Sequence, residues 1–119
     1  MKRRTHGAGL TPDEKELWIS DQAANALYVF DNTLFPPKQS AKIDISKGGH
    51  GWVAFSLDGR YAYTASTEVI DTKTHKPITI FKDEHDKPVC SSKFVEVQFD
   101  KDGAVTRVGD QFGVGRVTR

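Results

Sequence analysis

The sequence lacks most of the features that would assign it to a specialised class of protein. Its single cysteine, Cys90, cannot form an intrachain disulfide and has no histidine nearby at metal-ligand spacing, so we expect a structural or surface thiol. Lysine and arginine total 17 and aspartate and glutamate total 16, which leaves a net charge of +1. This balance provides no electrostatic footprint for nucleic acid or for a membrane surface, and we expect neither as a partner.

Long apolar segments and familiar catalytic motifs are also missing. No segment approaches the ~18 consecutive apolar residues of a membrane-spanning helix. The basic residues 2–4 are followed by His-Gly-Ala-Gly rather than by an apolar segment, so we expect no signal peptide in this chain. No Gly-x-Ser-x-Gly elbow, His-Glu-x-x-His motif or phosphate-binding loop occurs. The sequence leaves the localisation unknown.

What the sequence does contain is one pattern repeated at intervals of 40 to 45 residues. His-Gly at 6–7 recurs at 50–51, and Asp-Gly at 58–59 recurs at 102–103. Between these points, short runs rich in Val, Ile, Phe, Tyr and Thr are separated by turn residues, which is typical of β-strands and hairpins. A period of this length fits a four-stranded propeller blade.

The pattern predicts an all-β chain built from β-propeller blades of four antiparallel strands. We expect one partial domain over 1–119, with blades at 6–47 and 50–83 and a partial blade at 93–118. The expected strands are 7–11, 16–21, 26–32, 39–46, 51–56, 60–66, 68–72, 77–82, 93–100, 104–110 and 112–118. Packing between blades is expected to involve five aromatic residues: Trp18, Phe55, Tyr61, Tyr63 and Phe99.

The repeated residues resemble the YVTN-type β-propeller repeat. The shared features are His-Gly before a strand, a turn reading Thr-Pro-Asp or Ser-Leu-Asp-Gly, then Leu-Trp-Ile-Ser-Asp, and a strand ending in Val-Ile-Asp-Thr. This chain departs from the family pattern where Glu14 replaces the turn glycine, where Leu57 replaces the turn proline, and in the third copy, which has no His-Gly. The resemblance implies a propeller, and the family includes binding and scaffold modules, lactone hydrolases and domains with redox metals.

The length supplies only two to three blades, whereas the resemblance implies about seven. Blades bury their faces against neighbours, so an isolated piece would expose edge strands and an apolar face at each end. We expect an incomplete ring, either a fragment of a longer propeller or a chain whose copies close the ring together, and we favour the fragment. The expected partners are further blades or copies of the chain itself. Relatives are often exported, so the parent protein is also expected to be exported or periplasmic.

The strand order of such a blade brings two kinds of loop to one face, beside the central channel. These are the loop before the first strand and the turn between the second and third strands. We predict a binding site at this channel mouth. Its residues are His6, His50, Asp21, Gln22, Asp110 and Gln111.

Two interpretations of these residues stay open. In one, His6 and His50 are ligands of a metal or serve as general bases, because imidazole and carboxylate suit both roles. In the other, a histidine such as His6 hydrogen-bonds Asp21 and only ties strands together. No cofactor is otherwise expected.

The expected function is a non-enzymatic binding or interaction module that uses the channel-mouth face. The alternative is part of a propeller enzyme, a lactonase-type hydrolase or a metal-binding redox propeller, with the same histidines and aspartates at its site. A third possibility is a piece that only completes a ring, with the function held in other blades.

Overall fold

The computed structural model describes residues 5–47, 51–91, 93–110 and 113–114. Within these ranges every regular element is a β-strand, which confirms the all-β prediction. No helix in this part of the chain is long and apolar enough to cross a membrane.

In the described residues, eleven strands form three antiparallel sheets. The first sheet has four strands in chain order, β1 (Thr5–Leu10), β2 (Glu16–Asp21), β3 (Ala26–Asp31) and β4 (Lys38–Asp44). The second repeats that order with β5 (Val53–Phe55), β6 (Tyr61–Thr64), β7 (Glu68–Asp71) and β8 (Lys76–Ile80). The third sheet has the order β11-β10-β9, from β9 (Val95–Phe99), β10 (Val105–Asp110) and β11 (Gly113–Val114).

The observed strands follow the expected ones closely in the first sheet. The bounds of β2 are those predicted, and β3 is one residue shorter than expected. Three strands, β5, β6 and β9, are each three residues shorter than expected, and β5 has three residues where 51–56 was expected. Gly51 has φ 66°, a left-handed conformation that strands do not use, so pairing begins only after it. Of the expected strand 112–118, residues 113–114 form β11, and the rest lies outside the described residues.

The turns after β1 and β5 are built in the same way at a spacing of 45 residues. Thr11 Oγ1 donates to Asp13 Oδ1 at 2.7 Å, and Ser56 Oγ donates to Asp58 Oδ1 at 2.7 Å. Each aspartate also accepts the amide two residues further on, at 3.0 Å in both turns. The pKa of both aspartates lies below the ordinary value of 3.8. The hydrogen bond from the hydroxyl has the largest effect and the bond from the amide the next largest, because both stabilise the charged carboxylate. The sequence repeat is therefore also a repeat of hydrogen bonds.

The same turns place one residue in the left-handed region. Glu14 has φ 61°, Gly59 has φ 73° and Gly103, in the third copy, has φ 83°. Glycine adopts this conformation freely, whereas other L-residues pay a steric penalty. Glu14, one of the positions where the sequence departs from the YVTN-type pattern, therefore has the left-handed conformation that glycine has in the other two turns.

The main core lies between the first and second sheets. Trp18 is fully buried, and its ring meets the edge of Phe55 with centroids 5.4 Å apart. Gly7 and Gly9 line the interface, and a Cβ at Gly9 would lie 3.0 Å from Phe55 and one at Gly7 would collide with the carbonyl oxygen of Gly51. The other members of this core are Leu27, Val29, Ile43, Val53, Ala62 and Ile70.

A polar link closes the rim of this core. Trp18 Nε1 donates to Glu16 Oε2 at 2.9 Å, and the other carboxylate oxygen lies 2.9 Å from Nε2 of His75. His75 has φ 57° and lies in the turn between β7 and β8. Glu16 therefore joins the two sheets through a charged or polar contact that the sequence did not indicate.

The second and third sheets meet differently. The rings of Tyr63, Phe81 and Phe94 form a cluster with centroids 5.7 to 6.0 Å apart. The backbone amide of Leu57 donates to Glu96 Oε2 at 2.7 Å. Phe99, however, is 61% exposed, so it does not pack between the described sheets. It alternates with Glu96 along β9 and points to the opposite face of the sheet.

Candidate functional site

The strand register brings the two predicted loop types to one end of each sheet. Thr5 pairs with Asp21, so the start of β1 lies beside the turn between β2 and β3. Val53 pairs with Thr64, which places the start of β5 beside the turn between β6 and β7. Asp110 pairs with Val95 in the same way in the third sheet. We call this end of the sheets the candidate face.

Asp21 occupies the candidate face as a turn-capping residue. It is 3% exposed at the end of β2, and its Oδ1 accepts the backbone amides of Ala23 at 3.0 Å and Ala24 at 3.1 Å. Such an arrangement satisfies a buried carboxylate and fixes the following turn. Gln22, the next residue, is exposed in that turn.

The other predicted site residues are described only in part. His6 lies within β1, and Asp110 ends β10, but their side chains are outside the described part of the structure. His50 and Gln111 lie outside the described residues altogether. The backbones of His6 and Asp21 thus share the candidate face, while the side-chain pairing of His6 with Asp21 stays a prediction.

Sequence reasoning missed the second buried carboxylate of the candidate face. Glu68 is 5% exposed; Thr64 Oγ1 donates to its Oε2 at 2.8 Å, and the amide of Ser46 donates to its Oε1. Because Ser46 follows β4, Glu68 ties the first sheet to the second. The repeat gave no signal for this role, since aligning Asp31 with Asp71 puts Glu68 opposite Tyr28, an ordinary strand residue.

The environment of Glu68 stabilises its ionised form. Burial alone raises the pKa of this carboxyl, but the hydrogen bonds from Ser46 and Thr64 together outweigh burial, so the pKa lies below its ordinary value of 4.5. A carboxylate held in this way accepts hydrogen bonds and carries a negative charge at neutral pH. It is poorly suited to serve as a general base, because such a base needs a pKa near the working pH.

Thr67 stores backbone strain beside Glu68. Its φ is 110°, a conformation that a β-branched residue rarely adopts, and its side chain is buried. Thr67 Oγ1 donates to the carbonyl of Phe81 at 2.9 Å, and the amide of Phe81 donates to the carbonyl of Thr67 at 2.9 Å. These two bonds anchor the turn to the segment that follows β8.

Ser20 adds an unusual hydroxyl next to Asp21. Its side chain is fully buried on the face of β2 that it shares with Trp18. Its Oγ has no hydrogen-bond partner among the described residues. A buried hydroxyl of this kind is uncommon in native proteins and identifies a position where a polar partner would be favourable.

Metal-ligating side chains do not cluster in the described part of the chain. Within residues 5–47, 51–91, 93–110 and 113–114, no group of three or more His, Cys, Asp or Glu side chains could hold a metal ion. His6 and His50 are not covered by that finding, and their metal-binding role stays a prediction.

A scan against protein-family models finds no match to this chain, and a search of the curated proteins also finds none.

Proposed function

We propose that this chain is part of a YVTN-like β-propeller and acts as a non-enzymatic binding module through its candidate face. Three observations support the propeller. Two consecutive sheets have four antiparallel strands in the same order, their turns repeat the same hydrogen bonds 45 residues apart, and they pack on each other with the first strands β1 and β5 in contact. Four-stranded units stacked in this way are the building blocks of propellers.

The observation that carries the binding proposal is the state of the two buried carboxylates. Asp21 and Glu68 are the buried acidic residues described at the candidate face, and both accept hydrogen bonds from nearby backbone amides. Their hydrogen bonds stabilise turns, and we propose that neither carboxylate serves as a general base for a substrate. Such a face presents shaped loops with exposed polar side chains such as Gln22, which suits recognition of a partner.

The partner class that fits the candidate face is a polar peptide segment of another protein. Rigid turns on a β-scaffold are a common platform for such contacts. The proposal is tested by selecting phage-displayed peptides against the immobilised chain. We expect selected peptides to lose at least tenfold in affinity for a Gln22→Arg variant. Lys73→Ala, in the turn between β7 and β8 at the opposite end of the sheet, is the matched control and should bind normally.

The enzyme alternative has its own test. Purified chain is assayed with a panel of lactones and titrated with copper, zinc and calcium by calorimetry. We expect no turnover above the uncatalysed rate and no stoichiometric metal binding. Lactone hydrolysis or metal binding that is lost in a His50→Ala variant would overturn the non-enzymatic proposal. Peptides that bind Gln22→Arg as well as they bind the original chain would overturn the use of the candidate face.

A further inference from the structure

A small cavity lies between the second and third sheets. Its volume is about 270 Å³, and residues of both sheets line it. Four of the lining residues are aromatic: Phe55, Tyr63, Phe81 and Phe94. The ring centroids of the last three are 5.7 to 6.0 Å apart, so these rings form one continuous aromatic wall. Because described sheets lie on both sides of the cavity, its lining is not an outer face of the described fold.

Glu96 adds a negative charge to the cavity. It is half-buried on β9, and it is the charged residue among the described residues that line the cavity. Its Oε2 accepts the backbone amide of Leu57 at 2.7 Å, and its Oε1 accepts Nε2 of Gln98 at 3.2 Å. Both donors are neutral, and no ion pair among the described residues includes Glu96. Its charge therefore has no positively charged partner in this part of the chain.

The hydroxyl of Tyr63 is affected by the same charge. Burial raises the pKa of Tyr63 above its ordinary value of 10.0, and the negative charge of Glu96 raises it further. The phenol is therefore neutral at neutral pH, and it lies within electrostatic reach of the Glu96 carboxylate. The described lining of the cavity thus combines an aromatic wall with one negative charge.

This combination selects ligands by their charge. The Glu96 carboxylate repels an anion, and an uncharged apolar ligand would displace water from the carboxylate without replacing its hydrogen bonds. Calcium and magnesium ions require several oxygen ligands, whereas one carboxylate lines the described cavity. An alkylated ammonium ion fits both features of the lining. Its positive charge is attracted by the carboxylate and by the faces of aromatic rings, and its alkyl groups pack against those rings.

We propose that this cavity binds an alkylated ammonium ion, with Glu96 neutralising its charge and the aromatic wall contacting its alkyl groups. The volume is at or below the lower end of the ~300–1,000 Å³ found for ligand pockets. The ligand is therefore as small as choline, or it is the end of a single trimethylated lysine side chain. Because so few atoms make contact, we expect a dissociation constant of about 0.1–1 mM for choline.

Two-dimensional NMR of the isotope-labelled chain measures both the affinity and the location of binding. We expect choline to shift the amide signals of Tyr63, Glu96 and Gly109 in a saturable way. The control ligand is the neutral carbon isostere of choline, in which a tert-butyl group replaces the trimethylammonium group. We expect it to bind at least tenfold more weakly. This comparison uses the unaltered chain, so it does not depend on the folding of a variant. Equal affinities, or shifts confined to residues away from the cavity, would overturn the proposal.

Substitutions test the two features of the lining separately. Glu96→Gln removes the charge but keeps the shape, and we expect choline to bind at least tenfold more weakly. Phe94→Leu removes one ring of the aromatic wall, and we expect at least fivefold weaker binding. The matched controls are Glu84→Gln, at an exposed carboxylate outside the cavity, and Phe99→Leu, on the opposite face of β9, and both should bind choline normally. Unchanged binding in Glu96→Gln would overturn the proposal.

A second titration distinguishes the two sources of the ammonium group. Its probe is a short Gly-Ser peptide that carries one trimethyllysine. Tighter binding than that of choline would identify a side chain of another protein as the source, and equal or weaker binding would identify a free small molecule. No saturable shift with either probe up to ~20 mM, well above the expected dissociation constant, would overturn the proposal. The described lining of the cavity does not include Gln22, so this test and the peptide selection fail independently.

Discussion

The first and second sheets are joined through a closed apolar core, whereas the second and third sheets are joined through a partly exposed aromatic cluster. In the first pair, Trp18 is fully buried, and Gly7 and Gly9 line the contact between the two backbones. In the second pair, Tyr63 and Phe94 are only half-buried. The same repeat thus produces one strong interface and one weak interface, and the difference lies in which face of the sheet meets its neighbour.

The glycine contacts of the two interfaces show the same contrast. A Cβ at Gly7 would meet the backbone of Gly51 and Trp52, which cannot move without shifting a sheet. A Cβ at Gly109 would meet the side chain of Leu57, which can rotate. Where the backbones of two sheets are in contact, the distance between the sheets is fixed. Where a backbone contacts a flexible side chain, that distance is not fixed, because the side chain can rotate.

The largest expected effect comes from truncating the central ring of each interface. Trp18→Ala removes a fully buried ring and should lower the free energy of unfolding by about 3–5 kcal/mol. Phe94→Ala removes a half-buried ring of the other interface and should lower it by about 1 kcal/mol. Urea unfolding followed by fluorescence or circular dichroism measures both. Equal losses would mean that the two interfaces contribute equally to the free energy of unfolding.

The next effect comes from adding one methyl group at each interface. Gly7→Ala should destabilise the chain by about 2–3 kcal/mol, because the backbone it meets cannot yield. Gly109→Ala should cost less than about 1 kcal/mol, since the Leu57 side chain can change its rotamer. Thermal unfolding of the two variants gives the comparison. A larger loss for Gly109→Ala would show that the second interface is the tighter one.

Acid sensitivity should depend on the carboxylate that ties the first two sheets. The pKa of Glu68 lies below its ordinary 4.5, so its stabilisation is present above that pH and is lost as the pH falls below it. Glu68→Gln should therefore reduce the loss of stability on acidification, and at neutral pH it should lower the free energy of unfolding by about 1–2 kcal/mol. Glu96→Gln, at the other interface, should have a smaller effect at neutral pH, about 0.5 kcal/mol. Urea titrations at a series of pH values test this, and an unchanged slope in Glu68→Gln would contradict it.

The smallest expected effect concerns the turn after β1. Glu14 has a left-handed φ that glycine supplies at Gly59 in the equivalent turn, so Glu14→Gly should stabilise the chain by about 0.5 kcal/mol. Gly59→Ala should destabilise it by about 1 kcal/mol for the same reason. Melting temperatures measure both changes. A lower melting temperature for Glu14→Gly would show that contacts of the Glu14 side chain outweigh its backbone conformation.

The strands and turns could be predicted because they depend on local patterns. A short run of Leu, Trp and Ile between turn residues indicated β2, and the aspartates at 13 and 58 marked equivalent turns that proved to share their hydrogen bonds. The repeat also predicted that the start of β1 and the turn after β2 share one end of the sheet. These features follow from periodicity and from turn chemistry, and both can be read along the chain.

Features that depend on packing between sheets could not be predicted in the same way. Phe99 and Phe55 occupy equivalent positions, yet one is exposed and the other packs on Trp18, because alternation identifies two faces without saying which one meets a neighbour. Glu68 was missed because one of its hydrogen bonds comes from Ser46, which lies 22 residues away, just after the last strand of the first sheet. The strand order therefore indicated which end of the sheet the predicted loops occupy, but not the contacts that their side chains make.

Native-state hydrogen exchange tests the central claim most directly, the claim that the first two sheets form one cooperative unit to which the third is weakly attached. The amides of β2, β3, β6 and β7 should exchange with one common free energy, equal to that of global unfolding. The amides of β9 and β10 should exchange through an opening of lower free energy. Equal protection in all three sheets would contradict the account, because it would mean that the third sheet unfolds only together with the core around Trp18.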